Sequence, residues 1–320
     1  MLKKLLKAAM ASQVGWKLAQ PLRPNGITVL MYHRVNRTRD AEMPGIGVDQ
    51  FLEQMTWLRA RCRIIAPEEF TATLRQDRSG TPAVLVTFDD GYRDFFDNAY
   101  PILAELDIPS LVFLATRFMD DGGLIWTDAV ATAVLRTRRA DVVLPWNNQR
   151  HGLADKAERN ACRRMCTQFL KGIPDPERVA WQSELFRLLD IVPEDVIGDR
   201  QMLTWDEIRA TRPLTRYGGH THSHPILSQL DRATAEQEIR TCRDRITTEL
   251  GDPPRYFAYP NGRAQDFTDE TKAVLQNHGF ELSFSTIEGI HQSGTDLYAI
   301  RRQPTGCSTL GDFASLVLGR

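Results

Sequence analysis

The chain lacks most of the features that would place it in a specialised class. It has no run of ~18 apolar residues, so nothing in it reads as a membrane-spanning helix. Neither sign of charge is in excess. Its 40 Lys and Arg face 41 Asp and Glu, for a formal net charge of −1, which argues against a nucleic-acid binder or an acidic tail. Cysteine is sparse and odd in number: Cys62, Cys162, Cys166, Cys242 and Cys307 are scattered without a disulfide framework, which favours a reducing compartment. Cys162 and Cys166 fall on one face of an expected helix, but no second Cys/His pair completes a zinc set of four. Internal repeats and low-complexity tracts are absent too.

What remains is an ordinary globular composition, 42% hydrophobic and 25% charged, in 320 residues, enough for one large domain or two small ones. The first 24 residues read as a helical segment. Lys3, Lys4 and Lys7 begin it like a secretory signal, but no long uncharged apolar core follows, and Lys17 and Pro21 interrupt the pattern. A helix packed on the domain is the plain reading. A basic amphipathic helix in peripheral contact with a membrane is the alternative. Without a clear signal peptide or spanning helix, a cytoplasmic location is favoured over a periplasmic or cell-surface one.

Beyond residue 24, apolar runs rich in β-branched and aromatic residues occur at 27–33, 83–88, 110–115, 215–219, 255–260 and 281–286, each reading as a buried strand. Amphipathic helical patterns such as "DQFLEQMTWLRAR" and "DRATAEQEIRTCRDRITTEL" separate them. So many alternations imply a parallel α/β barrel over residues 25–320, with chemistry on the loops after the strand ends. The alternation breaks at about 119–203, where charged helical sequence predicts a mostly helical insertion.

Three strand ends carry unusual polar groups. "FDDGY" sets Asp89 beside Asp90, a repulsive pair unless a cation or hydrogen bonds separate their roles, or else an N-cap pair starting a helix. "YGGHTHSHPIL" holds His220, His222 and His224. A strand would turn all three histidines to one face, whereas a helix would pair only His220 with His224. Two imidazoles and one carboxylate make an open zinc site that leaves a position for water. "FAYPNG", residues 257–262, is a turn whose backbone N–H groups suit an anion.

Together these residues resemble the polysaccharide deacetylase family, the NodB-homology group of carbohydrate esterases. Its T-F-D-D-G motif stands as Thr87 to Gly91, and its H-[ST]-x-x-H-P motif as His220 to Pro225. The resemblance implies a distorted (β/α)7-type barrel and a divalent metal, zinc above others, held by Asp90, His220 and His224, with His222 turned away. It makes Asp89 the general base for a water that attacks an N-acetyl carbonyl, since a metal lowers the pKa of a bound water towards ~7. A backbone N–H, that of Asn261, would stabilise the oxyanion, with Tyr259 beside it.

Two departures from the family pattern shape the remaining assignments. The late histidine of many members is missing from "DLYAIRRQP", and His291 in "EGIHQSG" is a poor substitute. His33 in "LMYHRV" resembles the Tyr-His motif of the circularly permuted poly-N-acetylglucosamine deacetylase branch and is assigned as general acid. The arginine that orients the base is replaced by Ala258, and Arg301 or Arg302 is expected to supply its charge, with Arg301 carried as the site residue. Trp126, Asp128, Trp205, Asp206, Tyr32 and Tyr92 are candidates for a sugar groove.

The function implied is de-N-acetylation of a polysaccharide or cell-surface glycan. The alternatives are a deacetylase or deformylase of a small or lipid-linked substrate, and a non-catalytic carbohydrate-binding barrel.

Overall fold

In a computed structural model the chain is described over residues 10–36, 45–76, 80–192 and 201–319. Seven parallel strands close into a barrel. They are β1 (Ile27–Tyr32), β2 (Ala83–Phe88), β3 (Ser110–Leu114), β4 (Thr215–Gly219), β5 (Tyr256–Ala258), β6 (Leu282–Glu288) and β7 (Ile300–Pro304). Neighbours in sequence are neighbours in space from β1 to β7, and β7 returns to pair with β1 through Leu30 opposite Gln303. A short strand, Arg63–Ile64, lies against the start of β2. Parallel pairing needs crossovers, which the intervening helices supply, and it leaves every strand pointing its C-terminal end the same way.

The runs that predicted strands are strands, trimmed at their ends. The pattern did not predict β7, because Arg301 and Arg302 interrupt its apolar character. Side chains alternate across the barrel wall. Ile27, Val29, Leu85, Leu111, Phe113, Ala258, Phe284 and Ile300 form one buried cluster inside the barrel. Leu30, Tyr32, Val84, Val86, Phe88 and Leu114 belong to the outer cluster against helices. On the β5 side, Phe257 and Tyr259 pack outward on Ala235 and Ile239 of one helix and Val274 and Leu275 of the next.

The N-terminal segment forms α1 (Gln13–Ala19), capped by the Ser12 side chain. It packs on α2 (Val48–Arg61), with the Trp16 and Trp57 rings edge to face at 4.7 Å and Trp57 Nε1 donating to the Ala11 carbonyl at 3.0 Å. Val14, Leu18 and Leu22 stay exposed. Lys3, Lys4 and Lys7, on which the membrane-contact reading rested, lie outside the described residues. Among the described residues, no helix is long and apolar enough to cross a membrane.

The insertion between β3 and β4 holds α3 (Trp126–Arg136), α4 (Lys156–Lys171) and α5 (Asp175–Leu188). It also contains an antiparallel hairpin, Asp141–Leu144 with Gln149–Gly152, that the helical pattern did not predict. Cys162 and Cys166 are buried free thiols on α4, with sulfurs 3.9 Å apart.

Candidate active site

The strand ends converge on a cavity of about 460 Å³ at the C-terminal mouth of the barrel. Asp89 follows β2 by one residue, and its N–H donates to the Tyr32 carbonyl, extending the β1–β2 ladder by a rung. Phe88 faces outward, so alternation turns Asp89 inward. Asp90 then takes a positive φ of 76° and Gly91 one of 82°, which reverses the chain and aims both carboxylates into the same space. Across the barrel, His220 continues β4, with its N–H on the Leu114 carbonyl. Thr221 and His224 adopt left-handed φ of 64° and 62°. For residues of these types such conformations cost on the order of 1–3 kcal/mol each. Glu238, on the long helix α6 (Arg232–Leu250), holds the loop by accepting from the N–H groups of His222 and Ser223 and from the Ser223 hydroxyl at 2.7–2.9 Å.

This backbone resolves the histidine cluster. His220 Nε2 and His224 Nε2 stand 3.3 and 3.2 Å from Asp90 Oδ1, while His222 turns away to place Nδ1 3.0 Å from the Thr116 hydroxyl. His220 Nδ1 is 2.7 Å from the Ala258 carbonyl, which can only accept, so Nδ1 carries the proton and Nε2 presents its lone pair. Asp90 Oδ1 is buried without a hydrogen-bond partner among the described residues, as is His224 Nδ1. Three potential ligand atoms, from Asp90, His220 and His224, lie within 4.8 Å of one another. Donors on a tetrahedral ion with bonds of ~2.0–2.1 Å stand about 3.3 Å apart, so the observed spacing and the orphaned oxygen both fit a divalent metal.

Asp89 lies beside this cluster in a different setting. Its two oxygens receive Nη1 and Nη2 of Arg302 at 2.6 and 2.7 Å, and Arg302 is fully buried, with Nε donating to the Ser285 carbonyl at 2.8 Å. Burial alone would raise the Asp89 carboxyl. Arg302, then His220 and His33, outweigh it and hold Asp89 below its usual value. Asp90 is held well below the usual carboxylate range, with burial again opposing and the two imidazoles prevailing. His33, half exposed, has Nε2 3.9 Å from Asp89 Oδ2. It stands between the main cavity and a neighbouring one of about 600 Å³, lining both.

Four expected placements need correction. Arg301 does not face the base: strand alternation sends it outward, where it reaches the Glu288 carbonyl, and its neighbour Arg302 makes the pair. Tyr259 likewise falls on the outward register. Its hydroxyl donates to the Tyr298 carbonyl, its ring stacks on Phe267 at 4.1 Å, and its N–H is taken by the Phe284 carbonyl. It therefore offers nothing to the cavity. Trp205 is buried with Nε1 on Asp120, and Asp206 pairs with Arg209 on the surface, so neither lines the cavity.

Asn261 does line the cavity, at φ 60°, and no acceptor takes its backbone N–H among the described residues. Trp126, Asp128 and Tyr92 also line it. Asp128 accepts from the Tyr92 hydroxyl at 2.7 Å and from Arg34 at 3.2 Å, and the Arg34 guanidinium lies 3.5 Å over the Tyr92 ring. Tyr32 borders the neighbouring cavity and donates to Gln54 at 2.6 Å. His291 is at the opposite end of the barrel, paired with Ile27 through the backbone, which removes it as an acid. Sequence reasoning did not reach Glu238, or Lys171, whose Nζ donates to Asn261 Oδ1 at 2.6 Å. Both are charged residues on charged helices, with nothing in their spacing to mark them.

Fold and site together define a seven-stranded parallel α/β barrel with an Asp/His/His cluster at its mouth, and the chain belongs to the polysaccharide deacetylase family. The family's sequence profile matches residues 76–147 and 197–283, which take in β2 to β5, the start of β6, and α3 with the first hairpin strand of the insertion. Among curated proteins, the chain is 31% identical over 94 residues to "Putative polysaccharide deacetylase YxkH" of Bacillus subtilis, a match spanning 29% of this chain and 33% of that protein. It is 21% identical over 157 residues to the "Poly-beta-1,6-N-acetyl-D-glucosamine N-deacetylase" of Staphylococcus aureus, over 45% of this chain and 54% of that one. The matches thus span about a third of the first relative's length and about half of the second's. Among solved structures, IcaB from Ammonifex degensii superposes with a TM-score of 0.60 at 20% identity, covering 93% of this chain and 99% of that one, which establishes the shared barrel fold.

Proposed function

We propose that the protein is a metal-dependent hydrolase that removes N-acetyl groups from an N-acetylated sugar of a polysaccharide or cell-surface glycan. The observation that carries this reading is the division of labour between adjacent carboxylates: Asp90 is committed to two imidazoles, and Asp89 is clamped by Arg302 beside them. A carbohydrate-binding barrel would have no use for a buried, ionised Asp89, whose desolvation is costly unless it is paired. The staphylococcal relative's name supports the substrate class.

Asp90, His220 and His224 would hold the metal, and their one-carboxylate, two-imidazole donor set suits zinc. Bound there, the ion would polarise the acyl carbonyl and acidify a water. Asp89, ionised at neutral pH, takes the proton of the attacking water as its oxygen bonds to the carbonyl carbon. Arg302 restricts Asp89 to one orientation by donating to both of its oxygens, each of which keeps a further lone pair for the proton of the water. The Asn261 N–H faces the charge that develops on the carbonyl oxygen. His33, reached from solvent, donates a proton to the amine nitrogen as the C–N bond breaks, leaving acetate and a free amino sugar. Tyr92, Asp128 and Trp126 form the wall against which the ring lies.

The test is acetate release from a panel of N-acetylated oligosaccharides and monosaccharides, with and without chelator. Release that stops with chelator and returns with zinc supports the reading. No release from any member, together with no stoichiometric divalent metal in protein purified without chelator, would overturn it. Release from monosaccharides alone would move the substrate to the small or lipid-linked class.

A further inference from the structure

The face of α4 turned to the cavity is basic. Arg163, Thr167 and Lys171 recur every four residues, so they share one side of the helix, and all three line the cavity. Arg263 joins them from the loop after β5. Other charges around the cavity are accounted for: Asp89 by Arg302, Asp90 by its place in the candidate metal cluster, and Arg34 by Asp128 at 3.2 Å and Asp94 at 3.7 Å. The α4 face is not. Arg163 has no ion-pair partner among the described residues, and its Nε is buried without an acceptor. Lys171 spends its hydrogen bond on a neutral amide, Asn261 Oδ1. Asp266, whose charge reaches Lys171, has Oδ2 taken up by Asn261 Nδ2 and the Arg263 N–H.

A charged helix face is ordinarily a solvated one, but a guanidinium nitrogen out of contact with water and without an acceptor costs about 1–3 kcal/mol. An anion in the cavity would give these cations the acidic partner that the neighbouring described residues do not provide. Guanidinium and ammonium groups that line one cavity from two elements favour a planar or tetrahedral oxyanion such as a carboxylate or phosphate. The position is specific as well. Lys171 bonds to the residue whose backbone faces the scissile carbonyl, so the anion would lie close to the reacting amide.

We propose that the cavity selects an anionic sugar, an N-acylated pyranose whose carboxylate or phosphate group is received by Arg163, Lys171 and Arg263 beside the scissile amide. This rests on the hydrolase reading above and narrows its substrate. Selectivity would then lie where α4 of the insertion meets the loop after β5, while the chemistry lies at the ends of β1, β2, β4 and β7.

The test compares three N-acetylated sugars of the same skeleton: the neutral form, its phosphate ester and its uronic acid. With metal-loaded full-length protein, kcat/KM for at least one charged form should exceed the neutral form by roughly tenfold or more, the value of one charge-assisted hydrogen bond. The advantage should shrink as ionic strength rises. Whether phosphate or carboxylate gains more identifies the source. Arg163→Ala and Lys171→Met should each lower the charged-to-neutral ratio, and Arg163→Lys should retain part of it, which loss of helix packing alone would not produce.

Calorimetric binding of the same sugars to Asp89→Asn protein separates the two claims. Equal or weaker binding of both charged forms, with acetate still released by the wild type, overturns the anion site and leaves the hydrolase. Preferential binding of a charged form without release by the wild type supports the anion site and overturns the hydrolase.

Discussion

Arg302 and Asp89, 213 positions apart in the chain, meet inside the barrel as a two-point pair, guanidinium fork on carboxylate, with both side chains essentially dry. A pair of this kind contributes orientation more than net stability. Removing one member still leaves an uncompensated buried charge, at about 3–5 kcal/mol.

Arg302→Lys keeps the charge and loses the fork. We expect the fold to persist and kcat to fall ~100-fold, with KM little changed, because the base is no longer held in line. The pH profile provides the distinguishing readout. Burial raises the Asp89 carboxyl and Arg302 outweighs it, so a weaker partner lets the pKa rise and moves the acidic limb of kcat/KM to higher pH. An unmoved limb would show that Asp89 is not the titrating base.

His220→Ala and His224→Ala should each lose stoichiometric metal in elemental analysis, whereas His222→Ala should retain it, since His222 faces Thr116. Chelation should lower the Tm of the wild type. A metal present at about 100 times its Kd contributes ~2.7 kcal/mol to the folded state. Equal metal loss from all three variants would refute the assignment of Asp90 as third ligand.

His33→Ala should depress kcat by about 100-fold while leaving metal content and Tm at wild-type values, as its half-exposed ring supports little packing. A substrate with a good leaving group, which needs no proton, should recover much of the rate. Wild-type turnover of an ordinary N-acetyl sugar by this variant would remove His33 as the acid.

Asp94, buried near Arg34, offers a stability test away from the metal. Burial pushes its carboxyl up to about 7, with Arg34 opposing. A carboxyl whose pKa is raised on folding binds more protons in the native state between its unfolded value and about 7. Its contribution is therefore present in full below the unfolded value and is lost as pH rises through that window. Asp94→Asn should flatten the fall of Tm between pH 5 and 8 and stabilise the protein at pH 8 by ~2 kcal/mol. An unchanged slope would place the buried titration elsewhere.

Much of this site was legible because it lies in short motifs at strand ends. "TFDDG" and "HTHSHP" identified Asp89, Asp90, His220 and His224 and the strands before them. The misplacements share one cause. Arg301 versus Arg302 and the direction of Tyr259 are questions of strand parity, and parity cannot be read until a strand's ends and register are known. β7 escaped detection for a related reason: the arginine that serves the site breaks the apolar run that would reveal the strand. The basic face of α4 was invisible on other grounds, since a charged helix reads as solvated until tertiary structure places a cavity against it. The hairpin of the insertion, with polar turn residues Asn147 and Asn148, had no alternation strong enough to stand out from its helical surroundings.

The seam between β1 and β7 joins the beginning of the barrel to its end, and both flanks of the seam serve the site, His33 on one side and Arg302 on the other. A nascent chain emerging from the ribosome therefore carries both aspartates, His33 and the His220–His224 cluster well before it has the arginine paired with Asp89. On the proposed mechanism, catalytic competence arrives with the closing strand, so turnover would report that the barrel has been completed, and a chain truncated before β7 would keep Asp90, His220 and His224 but leave Asp89 without its guanidinium partner.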